Sequence, residues 1–178
     1  MTPAGGITEH FYNAAGNRVQ TKDPRANATT YTYDALNRLV GVTDALGQTT
    51  TYAYNAVGQR ISMTDPLGRV TTFAYDALGR LISATDPLGN VTASAYDALG
   101  NRTAQTDANN RTATFAYDLL NRLTTATNPL SGVTTYTYDA VGNQLTATDP
   151  NNHTTTTAYD ALNRPLSTTD ANGSVTSV

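Results

Sequence analysis

Cysteine and tryptophan are both absent from the chain, and lysine occurs once, at Lys22. Without cysteine a disulfide scaffold is excluded. No run of about 18 apolar residues exists, so no helix can be expected to cross a membrane. The N-terminus, Met1-Thr2-Pro3-Ala4-Gly5-Gly6, has neither the basic nor the apolar region of a signal peptide. Large aliphatics are scarce, with Leu, Ile, Val and Phe together making up only a sixth of the sequence. A fraction that low marks disorder when net charge is high, but here the net charge is only −3 and charged residues are 14% of the chain. The ten arginines are evenly spread and outnumbered by acids, so no basic patch for nucleic acid forms. What is abundant is threonine, nearly a fifth of the sequence, together with 11 tyrosines. Both are strand formers, and the balance suits strands and turns around a thin apolar layer.

A repeat accounts for the composition. Tyr12, Tyr33, Tyr54, Tyr75, Tyr96, Tyr117, Tyr138 and Tyr159 stand at every twenty-first position. Next to each tyrosine stands an acid or its amide: Asn13, Asp34, Asn55, Asp76, Asp97, Asp118, Asp139, Asp160. Eleven positions after each tyrosine comes another, from Asp23 through Asp44, Asp65, Asp86, Asp107, Asn128 and Asp149 to Asp170. Two positions before most of the tyrosines is a second ring: Tyr31, Tyr52, Phe73, Phe115 and Tyr136. The repeat is in phase from the start, where Thr2-Pro3-Ala4-Gly5 fills the slots later held by Asp65-Pro66-Leu67-Gly68.

Each period carries two turn signals, as in Asp76 to Gly79 and Asp86 to Gly89. Aspartate at the first position accepts backbone N–H bonds, and glycine at the fourth, such as Gly47, Gly68 or Gly89, takes the positive φ that ends a type I turn. Asn37, Asn121 and Asn163 replace that glycine and tolerate the same conformation. Between turns lie strand-length segments such as Arg80–Thr85 and Asn90–Tyr96. Period-two alternation places Tyr31 with Tyr33, and Phe73 with Tyr75, on one aromatic face, with small residues opposite. The chain is therefore expected to be all-β, a single array of about eight repeats over residues 1–178 with no separate domain. Consecutive hairpins in a long antiparallel, twisting and coiling sheet fit the short turns best; a β-solenoid is the alternative.

A second period, twice as long, is superposed. Gly16-Asn17-Arg18, Gly58-Gln59-Arg60 and Gly100-Asn101-Arg102 alternate with Asn37-Arg38-Leu39, Gly79-Arg80-Leu81 and Asn121-Arg122-Leu123. Arginine shifts by one position between the sets. A one-residue shift in a strand exchanges faces, so successive units are expected to present Arg and Leu to opposite sides.

The pattern Tyr-Asp-Ala-Leu-Gly-Arg-Leu, Thr-Asp-Pro-Leu-Gly, Thr-x-Tyr-x-Tyr-Asp resembles the YD repeats of the Rhs (rearrangement hot spot) family, whose relatives include toxin-complex shell proteins, bacterial wall-associated proteins and teneurins. The resemblance covers essentially the whole chain. It implies hairpins joined into a sheet that coils into a hollow shell, in bacterial proteins that are secreted or held at the cell surface. Toxin members enclose an effector released by autocleavage. With eight repeats here and so short a tail after Asp170, neither encapsulation nor autoproteolysis is expected of this segment.

Chemistry is sparse. The aspartates all occupy turn slots, and His10 and His153 share no motif, so no enzymatic, metal or cofactor site is expected. The Asn-x-Thr/Ser sequons, such as Asn27 and Asn90, read as chance products of a threonine-rich repeat. The expected role is architectural: a shell wall, or a filament built by addition of further repeats or copies at uncapped sheet edges. The alternative is a glycan-binding adhesive module using Tyr31, Tyr52, Phe73, Phe115 and Tyr136, since aromatic rings beside Asn, Asp and Arg suit polyhydroxylated ligands.

Overall fold

The structure, a computed structural model, describes residues 6–177, which fall into two compact units meeting in sequence at Asn90 and Val91. The turn expected at Thr2-Pro3-Ala4-Gly5 lies outside the described residues. In the first unit the strands are β1 (Glu9–Tyr12), β2 (Arg18–Lys22), β3 (Ala28–Tyr33), β4 (Leu39–Thr43), β5 (Thr49–Tyr54), β6 (Arg60–Thr64), β7 (Val70–Tyr75) and β8 (Leu81–Thr85). The second holds β9 (Val91–Tyr96), β10 (Arg102–Thr106), β11 (Thr112–Tyr117), β12 (Leu123–Thr127), β13 (Val133–Tyr138), β14 (Gln144–Thr148), β15 (Thr154–Tyr159), β16 (Pro165–Thr169) and β17 (Val175–Ser177). Within each unit every strand pairs antiparallel with the next, as a meander of hairpins and not a solenoid.

The turns explain the spacing. In each of sixteen turns the first residue's N–H donates to the carbonyl four positions on, and the fourth residue's N–H donates back to the first carbonyl, as in Asp34 N to Arg38 O and Asn37 N to Asp34 O, both 3.0 Å. This is the three-residue hairpin loop, a type I turn closed by a left-handed residue. That geometry leaves the fifth residue's N–H without a backbone acceptor. The side chain of the first residue supplies it: Asp34 Oδ1 accepts from Leu36 N at 2.9 Å and Arg38 N at 3.0 Å. Asn13, Asn55 and Asn128 do the same with their amide oxygens, which is why Asn substitutes for Asp here. The left-handed position is taken by glycine or asparagine at all but two turns, the exceptions being Ala26 (φ 65°) and Ser131 (φ 66°).

Burial alternates along the strands. In β5, β7, β11 and β13 the ring-bearing face is half-buried and the Thr/Ala face exposed. Among the described residues no hydrophobic side chain is fully buried. The fold therefore rests on lateral contacts between hairpins, not on a packed interior, in keeping with the scarcity of aliphatics.

One expectation fails for a definable reason. Opposite each tyrosine that ends a strand, the register slips by one: Tyr33 faces Leu39 while Thr32 faces Gly41, leaving Val40 extra. The same β-bulge recurs at Tyr12, Tyr54, Tyr75, Tyr96, Tyr117, Tyr138 and Tyr159. A bulge sets two residues against one and interrupts the face alternation. Arg18, at the bulge, lies over the Tyr31 ring at 4.8 Å, and Arg38, at the turn, lies over the Tyr54 ring at 5.0 Å. Both classes of arginine thus reach the aromatic face, instead of alternating sides.

Candidate functional site

The repeated feature with the densest side-chain chemistry is the contact between one tyrosine-side turn and the hairpin that follows. Each of the eight repeat tyrosines stands at the last position of its strand, and the hydroxyls of six of them reach back across the sheet. Tyr33 donates to Arg18 O (2.9 Å), Tyr54 to Leu39 O (2.8 Å), Tyr75 to Arg60 O (3.0 Å), Tyr117 to Arg102 O (3.1 Å), Tyr138 to Leu123 O (2.8 Å) and Tyr159 to Gln144 O (3.1 Å). Every acceptor is the carbonyl of the first bulge residue, where the ladder is interrupted. Bulge and tyrosine hydroxyl are therefore two halves of one device, which the 21-residue spacing alone does not reveal. Tyr12 and Tyr96 end β1 and β9 in the same way.

Arginine tightens the seat. At Arg38 and Arg122 the Nε donates to the turn carboxylate (Asp34 and Asp118, 2.7 Å each). Their Nη1 groups donate onward to the carbonyl of the next tyrosine-side turn, Asn55 O at 3.0 Å and Asp139 O at 2.7 Å. The same guanidinium groups stack on the next tyrosines, Tyr54 at 5.0 Å and Tyr138 at 4.7 Å. The pKa of the Tyr138 phenol is raised, first by burial and then by neighbouring Tyr136, against the opposing pull of Arg122. The carboxyls of Asp34 and Asp118 lie below their ordinary value, first because the backbone N–H of Arg38 and Arg122 holds each charged form. Burial opposes that shift, and the arginine side chains reinforce it.

At three of the turns where that slot holds no arginine, an asparagine amide bridges the turns. Asn17 Nδ2 donates to Asn37 Oδ1 at 2.7 Å, Asn101 to Asn121 and Asn143 to Asn163 at 2.9 Å each.

The five rings singled out as glycan candidates, Tyr31, Tyr52, Phe73, Phe115 and Tyr136, are half-buried. Guanidinium groups already cover four of them: Arg18 on Tyr31, Arg60 between Tyr52 (5.7 Å) and Phe73 (4.8 Å), and Arg102 on Phe115 (5.4 Å). Gly47, Gly68 and Gly89 occupy left-handed turn positions at φ 79°, 77° and 84°. Asp34, Asp76, Asp97, Asp118, Asp139 and Asp160 each cap their turn through Oδ1. Among the described residues no group of three His, Asp or Glu side chains is placed to hold a metal ion. An open cavity of about 350 Å3 lies against Asp160, Arg164, Pro165 and Leu166, where earlier arginine-bearing turns seat the next tyrosine.

These features define a β-hairpin repeat protein whose recurring site is an interface between its own hairpins. The chain belongs to the RHS Repeat family, matching it over residues 12–49, 33–68, 54–91, 96–133, 127–154 and 138–175. It is thus a structural YD-repeat segment. No curated protein is a significant match. Among solved structures, TcdB2-TccC3 without its hypervariable C-terminal region superposes on 89% of this chain with a TM-score of 0.68 and 22% identity. TcdB2-TccC3-TEV superposes on 98% with a TM-score of 0.71 and 18% identity, and TcdB2-TccC3-Cdc42 on 94% with 0.55 and 15%. At these identities the likeness is one of fold. The chain spans only 10%, 11% and 13% of the lengths of those chains.

Proposed function

We propose that this chain is a stretch of wall in a β-sheet shell, in a bacterial protein that acts outside the cell or at its surface. The supporting observation is the combination of a fold without a buried hydrophobic core among the described residues and a seat, repeated within each unit, that fastens six of the tyrosines to the preceding hairpin. Such a module gains stability by having neighbours, as repeat arrays do. Its natural partners are further YD hairpins, in the same chain or in another copy, and the fold likeness to the TcdB2-TccC3 structures supports a shell over a filament. Residues 1–178 form one array in this reading, since in sequence the 21-residue period passes Asn90 and Val91 without gain or loss.

Glycan recognition by Tyr31, Tyr52, Phe73, Phe115 and Tyr136 has less support, because a sugar would have to displace arginine from most of those rings. Cryo-electron microscopy of the purified protein tests the wall reading. Curved β-sheet walls, closed or extended, are expected; compact particles without sheet curvature would refute it.

A further inference from the structure

We propose that the residue four places after each tyrosine-side Asp or Asn is a specificity determinant that selects which kind of hairpin lies next. This deepens the architectural reading and rests on it only in requiring that hairpins adjoin.

Two kinds of hairpin alternate, distinguished by that residue. The amide kind carries Asn17, Gln59, Asn101 or Asn143; the arginine kind carries Arg38, Arg80, Arg122 or Arg164. An amide points at the left-handed residue of the next turn, and the two are matched in length. Each asparagine meets an asparagine: Asn17 with Asn37, Asn101 with Asn121, Asn143 with Asn163. The longer Gln59 meets Gly79, where an added Cβ would lie 3.0 Å from Gln59 Nε2. Across the turns the short amides pair with a side chain, whereas the long one faces a residue that has none and keeps its Oε1 on Asn55 Nδ2 of its own turn at 2.7 Å.

The arginine kind asks for something else. Arg38 and Arg122 need a backbone carbonyl, Asn55 O or Asp139 O, and a tyrosine face. They make no demand on the left-handed residue, which is glycine in those next turns, Gly58 and Gly142. The doubled period is the consequence: an amide hairpin is built to precede an arginine hairpin, and an arginine hairpin to precede an amide one.

The rule also names what fits the cavity at Asp160, Arg164, Pro165 and Leu166. The Arg164 side chain is 72% exposed, against 26% for Arg38 and 24% for Arg122 under their tyrosines. The seat therefore suits a tyrosine-bearing hairpin of the amide kind.

Thermal unfolding of the full chain and its variants, followed by circular dichroism, tests the rule. Gly79→Asn alone should crowd Gln59 and lower the Tm by about 2–4 °C. Gln59→Asn in the same chain should recover most of that loss by recreating the asparagine pair found three times elsewhere. Gly47→Asn, at a turn where an added Cβ meets nothing within 4 Å, controls for the backbone cost of leaving glycine. If the two changes are additive, or if Gly79→Asn behaves like Gly47→Asn, the proposal is overturned.

A deletion pair keeps the test decisive even if the point variants fold poorly. Removing residues 97–138 takes out two whole repeats and keeps the alternation, so that Asn143 still meets Asn163. Removing residues 118–138 takes out a single repeat and sets two amide hairpins side by side. Repeat number alone would make the smaller deletion lose about half as much Tm as the larger; the rule expects it to lose clearly more than that, and a loss of half or less overturns the rule. Neither readout involves a shell, so either result leaves the wall reading to its own test.

Discussion

Gly68 isolates the backbone term in turn formation. It closes the turn Asp65-Pro66-Leu67-Gly68 at φ 77°, and its N–H donates to Asp65 O at 2.9 Å. An added Cβ would meet nothing within 4 Å. Gly68→Ala therefore introduces no clash, and its whole effect is conformational. A left-handed backbone costs an L-residue roughly 1–2 kcal/mol. Against that, alanine restricts the unfolded chain more than glycine does, returning about 0.4–1 kcal/mol. The net expectation is a loss of about 0.5–1 kcal/mol, with Gly68→Asn falling between alanine and glycine. Gly47 and Gly89 are equally open, so Gly47→Ala and Gly89→Ala should match Gly68→Ala. Urea unfolding at about 25 °C by far-UV circular dichroism, compared at constant m, measures this. Three alanine variants that equal the parent, or that differ widely among themselves, would refute the account of the turn.

The converse change should stabilise: Ala26→Gly and Ser131→Gly relieve left-handed non-glycine residues, with midpoints shifting upward by an equivalent of about 0.5 kcal/mol or more each. Tyr138→Phe deletes the hydroxyl bond to Leu123 O while keeping the ring under Arg122. It should cost about 0.5–1.5 kcal/mol in the same assay, and a neutral result would deny the bulge–hydroxyl device. The turn carboxylates set the acid limit. Asp34, Asp76 and Asp118 have pKa values lowered in the folded state from 3.8. Their contribution is complete above that value and disappears as pH falls through the lower folded-state values. Melting temperatures should thus be flat from pH 7 to about 5 and drop below about 4. A drop centred near pH 6 would implicate other groups. On a glycan array, the parent and a Tyr52→Ala/Tyr54→Ala variant should both be silent; binding by the parent that the variant loses would favour the adhesive alternative.

Element type, turn positions and the aromatic face are legible in the residues alone. Each of these is local: a strand of five or six residues, an aspartate whose side chain caps its own turn, a glycine that alone enters the left-handed region cheaply, and a period of two that puts Tyr52 and Tyr54 on the same side. Strand limits read from the sequence, Arg80–Thr85 and Asn90–Tyr96, lie one position from the observed Leu81–Thr85 and Val91–Tyr96. The family assignment follows from the same local signals. The side on which arginine lies is not legible in this way, because face alternation holds only while the register is unbroken, and the bulge opposite each tyrosine breaks it. That bulge has no composition signature, since Val40, Ile61, Thr124 and Leu145 all occupy it. Only the folded chain joins positions fifteen to twenty apart, such as Tyr33 with Arg18 and Asn17 with Asn37. Their pairing depends on how one hairpin lies against the next. The doubled period is visible in the sequence as a shift of arginine, but its cause, a length match between facing turns, comes from distances that exist only once the hairpins are laid side by side.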